Sequence, residues 1–85
     1  MEVGPFLRSK RKDAGLTISE SARQLKTTRH RIDNWERNLA TPQSKYVKRM
    51  MLIYGFTLDE YLEGYRDTLI RKAEKQMNML RRRCS

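Results

Sequence analysis

The chain has little of what metal binding or covalent catalysis requires. Its 85 residues include one cysteine, one histidine and two prolines. The lone Cys84 has no second cysteine for an internal disulfide, and neither residue type clusters at the spacing of metal ligands. No arrangement of Cys, Ser, His and Asp resembles a nucleophilic site. We therefore expect no enzyme, no metal and no cofactor.

Long apolar runs are also missing. No stretch approaches the roughly 18 apolar residues of a membrane span, and the N-terminal MEVGPFLRSKRK lacks the apolar part of a signal peptide. We expect a cytoplasmic protein without membrane insertion. No five residues alternate between apolar and polar, so strands are not predicted.

Acidic residues are scarce relative to basic ones. Lys and Arg number 19 against 10 Asp and Glu, which gives a formal charge of +9. Such an excess is typical of chains that meet phosphate, although it also fits an anionic membrane or an acidic protein. A chain of this length makes one small domain with a marginal core, so we expect a helical bundle or an oligomer.

Residues 16–37, LTISESARQLKTTRHRIDNWER, contain two short helical patterns joined by a tight turn. Thr17 can cap the first helix, with Glu20 three positions later completing a capping box. Thr28 can open the second, which should run to about Arg37 and leave two residues for the turn. This spacing predicts a helix-turn-helix of the kind that reads DNA.

Three more helices are predicted around this unit: from about Pro5 to Asp13, from about Pro42 to Tyr54, and from the capping box at Thr57 onward. The last of these should bury Leu58 and Leu62.

The segment 65–85 is strongly basic and amphipathic, and we expect it to dimerise or to dock a partner beside a DNA-binding domain over residues 1–64. Gly64 either breaks the helix or is absorbed at a cost of about 1 kcal/mol. The apolar spacing is wider than the 3.5 residues of a left-handed coiled coil, which favours packing on the domain or on a short crossing helix. The predicted dimerisation residues are Leu62, Tyr65, Leu69, Ala73, Met77 and Leu80.

On a helical wheel with Ile32 facing inward, the outer face of the second short helix carries side chains that can bind bases. His30, Asn34 and Arg37 point outward, Asp33 lies on the flank and Arg29 lies in the exposed first turn. Arginine can bridge O6 and N7 of guanine, and asparagine can pair with N6 and N7 of adenine. The alternative is an ordinary solvated polar face.

Several motifs in order resemble one known family: LRSKRKDAGLT, the Glu20-Ser21-Ala22 step, the spacing from Thr28 to Ile32, WERNLATP and YGFTLDEYLEG. Together they resemble the five-helix domain of the Cro/CI (XRE) family of phage and bacterial regulators. The resemblance implies an all-α, lambda-repressor-like fold. It also implies a homodimer bound to a double-stranded DNA operator, and a role in transcription, in the bacterial cytosol or nucleoid.

The resemblance also assigns roles to individual positions. Arg11 and Glu36 match the family's characteristic ion pair, for which we expect a structural role first. The expected base-reading residues are Ile18, Arg29, His30, Asp33 and Asn34. The expected phosphate-binding residues are Arg11, Thr17, Thr28, Arg31 and Arg37. Many relatives carry glutamine where Ile18 stands, so its side chain offers at most a thymine-methyl contact.

Three residues depart from the family pattern. Ser21 and Thr27 replace the usual leucine and valine, which removes apolar area from between the two short helices. Lys26 replaces the common turn glycine, and we expect strain there if its φ is positive.

The main alternative function is a protein-interaction module, of antitoxin or anti-repressor type, whose basic tail docks an acidic partner in a groove. A membrane-surface role for the tail is a weaker alternative, since its apolar stripe is modest and has no Trp anchor.

Overall fold

Five helices in succession make up the chain. The computed structural model describes the backbone of residues 1–84 and the side chains of residues 1–77. The helices are α1 (Val3–Asp13), α2 (Ile18–Leu25), α3 (Arg29–Glu36), α4 (Ser44–Tyr54) and α5 (Leu58–Cys84). No strand occurs in residues 1–84. The predicted all-α, five-helix fold is confirmed.

One apolar core joins all five helices. Aromatic rings fill the side near α5: the Phe6 and Phe56 rings pack edge to face at 5.2 Å, and Phe56 and Tyr61 stack at 6.2 Å. Large aromatic side chains of this kind dominate the energetics of small cores. The core residues are Val3, Phe6, Leu7, Ala22, Leu25, Ile32, Trp35, Tyr46, Val47, Met50, Tyr54, Phe56 and Tyr61.

The first helix begins two residues before the predicted Pro5. Its first N–H groups are paired by distant side chains, because Val3 N donates to Thr68 Oγ1 at 3.0 Å and Gly4 N donates to Asn38 Oδ1 at 2.8 Å. A helix N-terminus needs such partners, and here they come from α5 and from the end of α3. The residue before the helix, Glu2, makes no side-chain cap of its own.

The fourth helix begins at Ser44 rather than at Pro42. Gln43 is its extended N-cap residue, and the proline ring is buried in the preceding loop.

The predicted burial of Leu58 and Leu62 is wrong, since these side chains are 51% and 49% exposed. The fifth helix is rolled so that Tyr61, Gly64 and Thr68 face the domain instead. Helix α5 passes through Gly64 without a break. A Cβ at Gly64 would lie 3.3 Å from the Met1 carbonyl oxygen, so the glycine lets the N-terminal segment cross close to α5.

Beyond Thr68 the described side chains are exposed, although Arg71 still pairs with Glu2 at 2.6 Å. Thr68 is 6% exposed, whereas every residue from Leu69 to Met77 is exposed. The predicted dimerisation residue Leu80 has its side chain outside the described residues. The second half of α5 therefore extends from the domain, and the whole chain measures 49 Å along its longest axis.

Candidate nucleic-acid interface

The turn between α2 and α3 is as short as predicted. Lys26 ends α2 in the left-handed conformation, with φ 55° and ψ 48°, and Thr27 N donates to Ala22 O at 2.9 Å. A lysine in this conformation is strained, because its Cβ approaches the following carbonyl. The turn thus sets the angle between the two helices at a local energetic cost.

Threonine caps begin both helices of this unit. Thr17 Oγ1 accepts from Glu20 N at 3.1 Å and donates to the Glu20 carboxylate at 3.0 Å. Thr28 Oγ1 accepts from Arg31 N at 3.2 Å. Among the described residues, no acceptor is found for the Thr28 hydroxyl proton, so this group can donate to a phosphate oxygen at the positive end of α3.

The inner face of α3 is fixed by the core and by one ion pair. Ile32 and Trp35 are 1% and 5% exposed. Arg11 Nε and Nη2 donate to the two carboxylate oxygens of Glu36 at 2.9 and 3.0 Å. This bidentate geometry is strong and directional, and it raises the pKa of Arg11 through the hydrogen bonds to Glu36.

The predicted ion pair is therefore present, and its geometry supports the structural role expected first for Arg11. Its third donor, Nη1, binds Leu16 O at 2.7 Å, and the side chain is 9% exposed. The guanidinium faces inward with its Nε and both terminal nitrogens engaged. This geometry gives no support to the additional phosphate contact expected of Arg11.

The predicted base-reading residues differ in exposure. Arg29 and His30 are exposed in the first turn of α3, and Asp33 and Asn34 are half-buried one turn later. Ile18 is half-buried and packs against the core, so only part of its side chain is available to a thymine methyl. Asp33 also accepts from Arg37 Nη1 at 3.5 Å. The carboxylate is therefore partly neutralised at the outer face.

The predicted phosphate-binding arginines lie on opposite flanks of α3. Arg37 lies just past its C-terminal end and pairs with Asp33 across one helical turn. Arg31 is exposed near its N-terminal end, and its Nη1 donates to the Tyr46 hydroxyl at 3.3 Å. In the sequence, Tyr46 falls on the apolar side of the fourth helix, which indicates a core residue. Its contact with Arg31 depends on how α4 crosses α3, which no local pattern predicts.

A model of known protein families matches residues 4–66, which include the caps, the turn and the ion pair, and its description is a helix-turn-helix domain. The chain belongs to the helix-turn-helix domain family. This family occurs in XRE/Cro-like regulators, so the predicted XRE-type resemblance is confirmed and a DNA-binding regulator is supported. No curated protein and no solved structure matches the chain.

Outside the turn, this helix-turn-helix protein exposes a second distinctive surface. A groove of 550 Å³ opens between α4 and α5, with Val47, Met51 and Tyr61 in its lining. An apolar stripe continues from it along α5, where Leu62, Leu69 and Met77 are 49%, 48% and 54% exposed. Ile70, which the predicted stripe omits, is 46% exposed. We call this groove and stripe the α5 surface.

Among the described residues of this helix-turn-helix protein, no three or more His, Cys, Asp or Glu side chains are grouped as for a metal ion. Within the same part of the chain, no helix combines the length and apolar character needed to cross a membrane.

Proposed function

We propose that this protein is a sequence-specific, double-stranded DNA-binding transcriptional regulator, acting as a dimeric repressor in the bacterial cytosol or nucleoid. The observation that carries the proposal is the capped, two-residue turn that presents α3 with a buried inner face and a polar outer face. Such a helix fits the major groove when its N-terminal residues face the base edges.

Base recognition is assigned to the outer face of α3. Arg29 and His30 are exposed where the helix would enter the groove, and Asn34 follows one turn later. Arginine, histidine and asparagine offer donors that distinguish purines in the major groove. Ile18 and Asp33 lie beside them and would contribute at the edge of the recognised sequence.

Phosphate binding is assigned to groups around that face. The Thr17 and Thr28 caps place helix N-termini at the surface, and Arg31 and Arg37 flank α3. Contacts of this kind position a protein on the duplex without reading its sequence. The formal charge of +9 adds attraction to any duplex.

Dimerisation is assigned to the α5 surface. A C2 dimer brings two copies of α3 into successive major grooves about 34 Å apart, which matches a palindromic operator. The exposed stripe of Leu62, Tyr65, Leu69, Ala73 and Met77 supplies apolar area for that contact. The same surface would serve the alternative role, in which the basic tail docks an acidic protein.

The test is selection of bound duplexes from a random pool at a stated salt concentration. We expect a palindromic motif with two half-sites. Arg29→Ala and Asn34→Ala should each weaken binding to it by about 1–3 kcal/mol and leave random DNA nearly unaffected. Equal losses on both DNAs contradict the base-reading assignment. No enrichment, together with weak and sequence-independent binding, favours the protein-docking alternative.

A further inference from the structure

Tyr46 connects α4 to α3 through its hydroxyl group. The side chain is 6% exposed, in the first turn of α4, and its oxygen lies 3.3 Å from Arg31 Nη1. Its ring packs against the Trp35 ring at a centroid distance of 5.2 Å, and the Lys45 ammonium lies 5.0 Å from the ring centroid. These contacts leave the phenol little freedom to move.

The surroundings of this hydroxyl are positively charged. Burial alone would raise the pKa of Tyr46, but the Thr27 hydroxyl and the charges of Lys45 and Arg31 outweigh burial and lower it overall. Thr27 Oγ1 is itself buried and lacks a hydrogen bond of good geometry. The phenolic oxygen accepts a hydrogen bond from Arg31 Nη1 at 3.3 Å, which places the guanidinium beside the ring.

Arg31 otherwise has an exposed side chain on the flank of α3. Arg31, Asn34, Trp35, Thr41, Gln43 and Tyr46 line a notch of 180 Å³ between α3 and the start of α4. Its lining includes both a proposed base-reading residue and a proposed phosphate ligand. A guanidinium anchored in this notch stays on the flank where a duplex backbone would pass.

We propose that Tyr46 is a positioning residue, which holds the Arg31 guanidinium in place for a DNA phosphate before the duplex binds. The inference rests on the proposed function and adds to it the residue that orders one phosphate contact. An arginine ordered beforehand loses less conformational freedom on binding, so its contact contributes more to affinity. The Tyr46 hydroxyl need not touch DNA.

The experiment is a double-mutant cycle on the full chain with a mixed-sequence duplex of about 20 base pairs, long enough for two half-sites. Tyr46→Phe keeps the ring and removes the hydroxyl. We expect about three- to tenfold weaker binding, in the range for loss of one typical hydrogen bond. The dependence of affinity on salt should also flatten towards that of Arg31→Ala.

The decisive comparison is the same substitution in the Arg31→Ala background, where Tyr46→Phe should have no further effect on affinity. Tyr54→Phe is the matched control, since Tyr54 is a second buried tyrosine on α4 and its hydroxyl lies near Ser21 rather than Arg31. We expect it to leave both affinity and salt dependence unchanged. Circular dichroism at the assay temperature checks that each variant is folded.

Three outcomes would overturn the inference. Tyr46→Phe could bind as the parent does, it could weaken binding equally with and without Arg31, or Tyr54→Phe could reproduce its effect. A parent chain that binds no duplex at all would instead remove the proposed DNA function, and the inference with it. The two failures are therefore distinguishable from the parent measurement alone.

Discussion

At the scale of single residues, the buried pair of Arg11 and Glu36 holds α1 to the end of α3. Their side chains are 9% and 6% exposed, and both carboxylate oxygens accept from the guanidinium. A buried pair costs desolvation energy when it forms, so its strongest signature is the penalty for removing one partner alone.

Arg11→Ala should therefore destabilise the fold by about 3–5 kcal/mol, because Glu36 would keep a buried, unpaired charge. Urea unfolding followed by circular dichroism measures this. Lys12→Ala is the control, since it removes the same charge from an exposed position on the same helix. A variant that unfolds like the parent but no longer binds DNA would return Arg11 to the phosphate-binding residues.

Arg37→Ala should weaken binding to every duplex and lower the salt slope by about one unit, because it removes a phosphate contact without touching bases. It also leaves Asp33 without its partner near the DNA. Affinity titrations across a range of salt concentrations measure the slope. Arg66→Ala makes the same charge change at an exposed position on α5 and should alter the slope less. Identical slopes for the two variants argue against a direct contact.

At the scale of elements, helix caps and turns are predicted from the sequence more accurately than the packing between helices. Thr17, Thr28 and Thr57 all cap the helices predicted from them, because a capping side chain binds backbone within three residues. The start of α1 at Val3 rather than Pro5 does not follow from local sequence, because its first N–H groups bind Thr68 and Asn38, which are distant in sequence.

Tertiary packing explains the other differences as well. Leu58 and Leu62 share a helix with Tyr61, and periodicity alone does not say which of two apolar faces a domain will bury. Resemblance indicated the candidate site residues of α3 and the Arg11–Glu36 pair, but not the contact of Tyr46 with Arg31. That contact depends on how α4 crosses α3.

Lys26→Gly should stabilise the protein by about 0.5–1 kcal/mol, since relief of the left-handed strain exceeds the extra chain entropy of glycine. Thermal and urea unfolding measure the change. Lys12→Gly is the control with the opposite sign. Because Lys12 lies inside α1, glycine there should lower the free energy of unfolding by about 1 kcal/mol. A loss of stability at both positions would mean that the turn carries no strain.

The capping box of α5 should make the free energy of unfolding depend on pH in the acidic range. Glu60 accepts from Thr57 N at 3.1 Å and pairs with Lys10. The hydrogen bond from the Thr57 backbone is the main cause that lowers the pKa of Glu60 below 4.5, and the bond from Lys10 lowers it further. The folded state holds the proton less tightly than the unfolded state, so this contribution is present above about pH 4.5 and is lost as pH falls through the lowered pKa.

Glu60→Gln should accordingly narrow the difference between the urea midpoints at pH 7 and pH 3. Asp59→Asn, one residue away in the same first turn, is the control, since the structure gives Asp59 no such partner among the described residues. An unchanged difference in Glu60→Gln would place the acid sensitivity elsewhere.

At the scale of the whole molecule, the contacts of α5 with the N-terminal segment continue past Gly64. Thr68 pairs with Val3 N, and Arg71 Nη1 lies 2.6 Å from Glu2 Oε1. Truncation after Gly64 would remove both contacts and leave the N-terminal segment without these partners on α5. Truncation after Lys72 keeps them, and it is the better way to separate the domain from the extended tail.

The proposed dimer predicts that Leu69→Glu combined with Met77→Glu will give a monomer in sedimentation at concentrations where the parent is a dimer. The double substitution would bury two charges of each chain in the contact, and their desolvation is costly. Leu52→Glu is the control, because Leu52 is 86% exposed on α4 and does not line the groove. A dimer that survives the double substitution would place the interface elsewhere.

The half of α5 beyond Thr68 projects from the crossing of α5 with the N-terminal segment, so a small change of angle at the crossing is amplified at the end of the helix. From Thr68 to Cys84 it reaches about 24 Å at the usual helical rise, so a tilt of about 10° at the crossing moves its tip by about 4 Å. In a dimer joined through the projecting half of α5, the angle at which α5 crosses the N-terminal segment would set the distance between the two copies of α3. The small residues Gly64 and Thr68 at that crossing would then determine which half-site spacing the dimer fits.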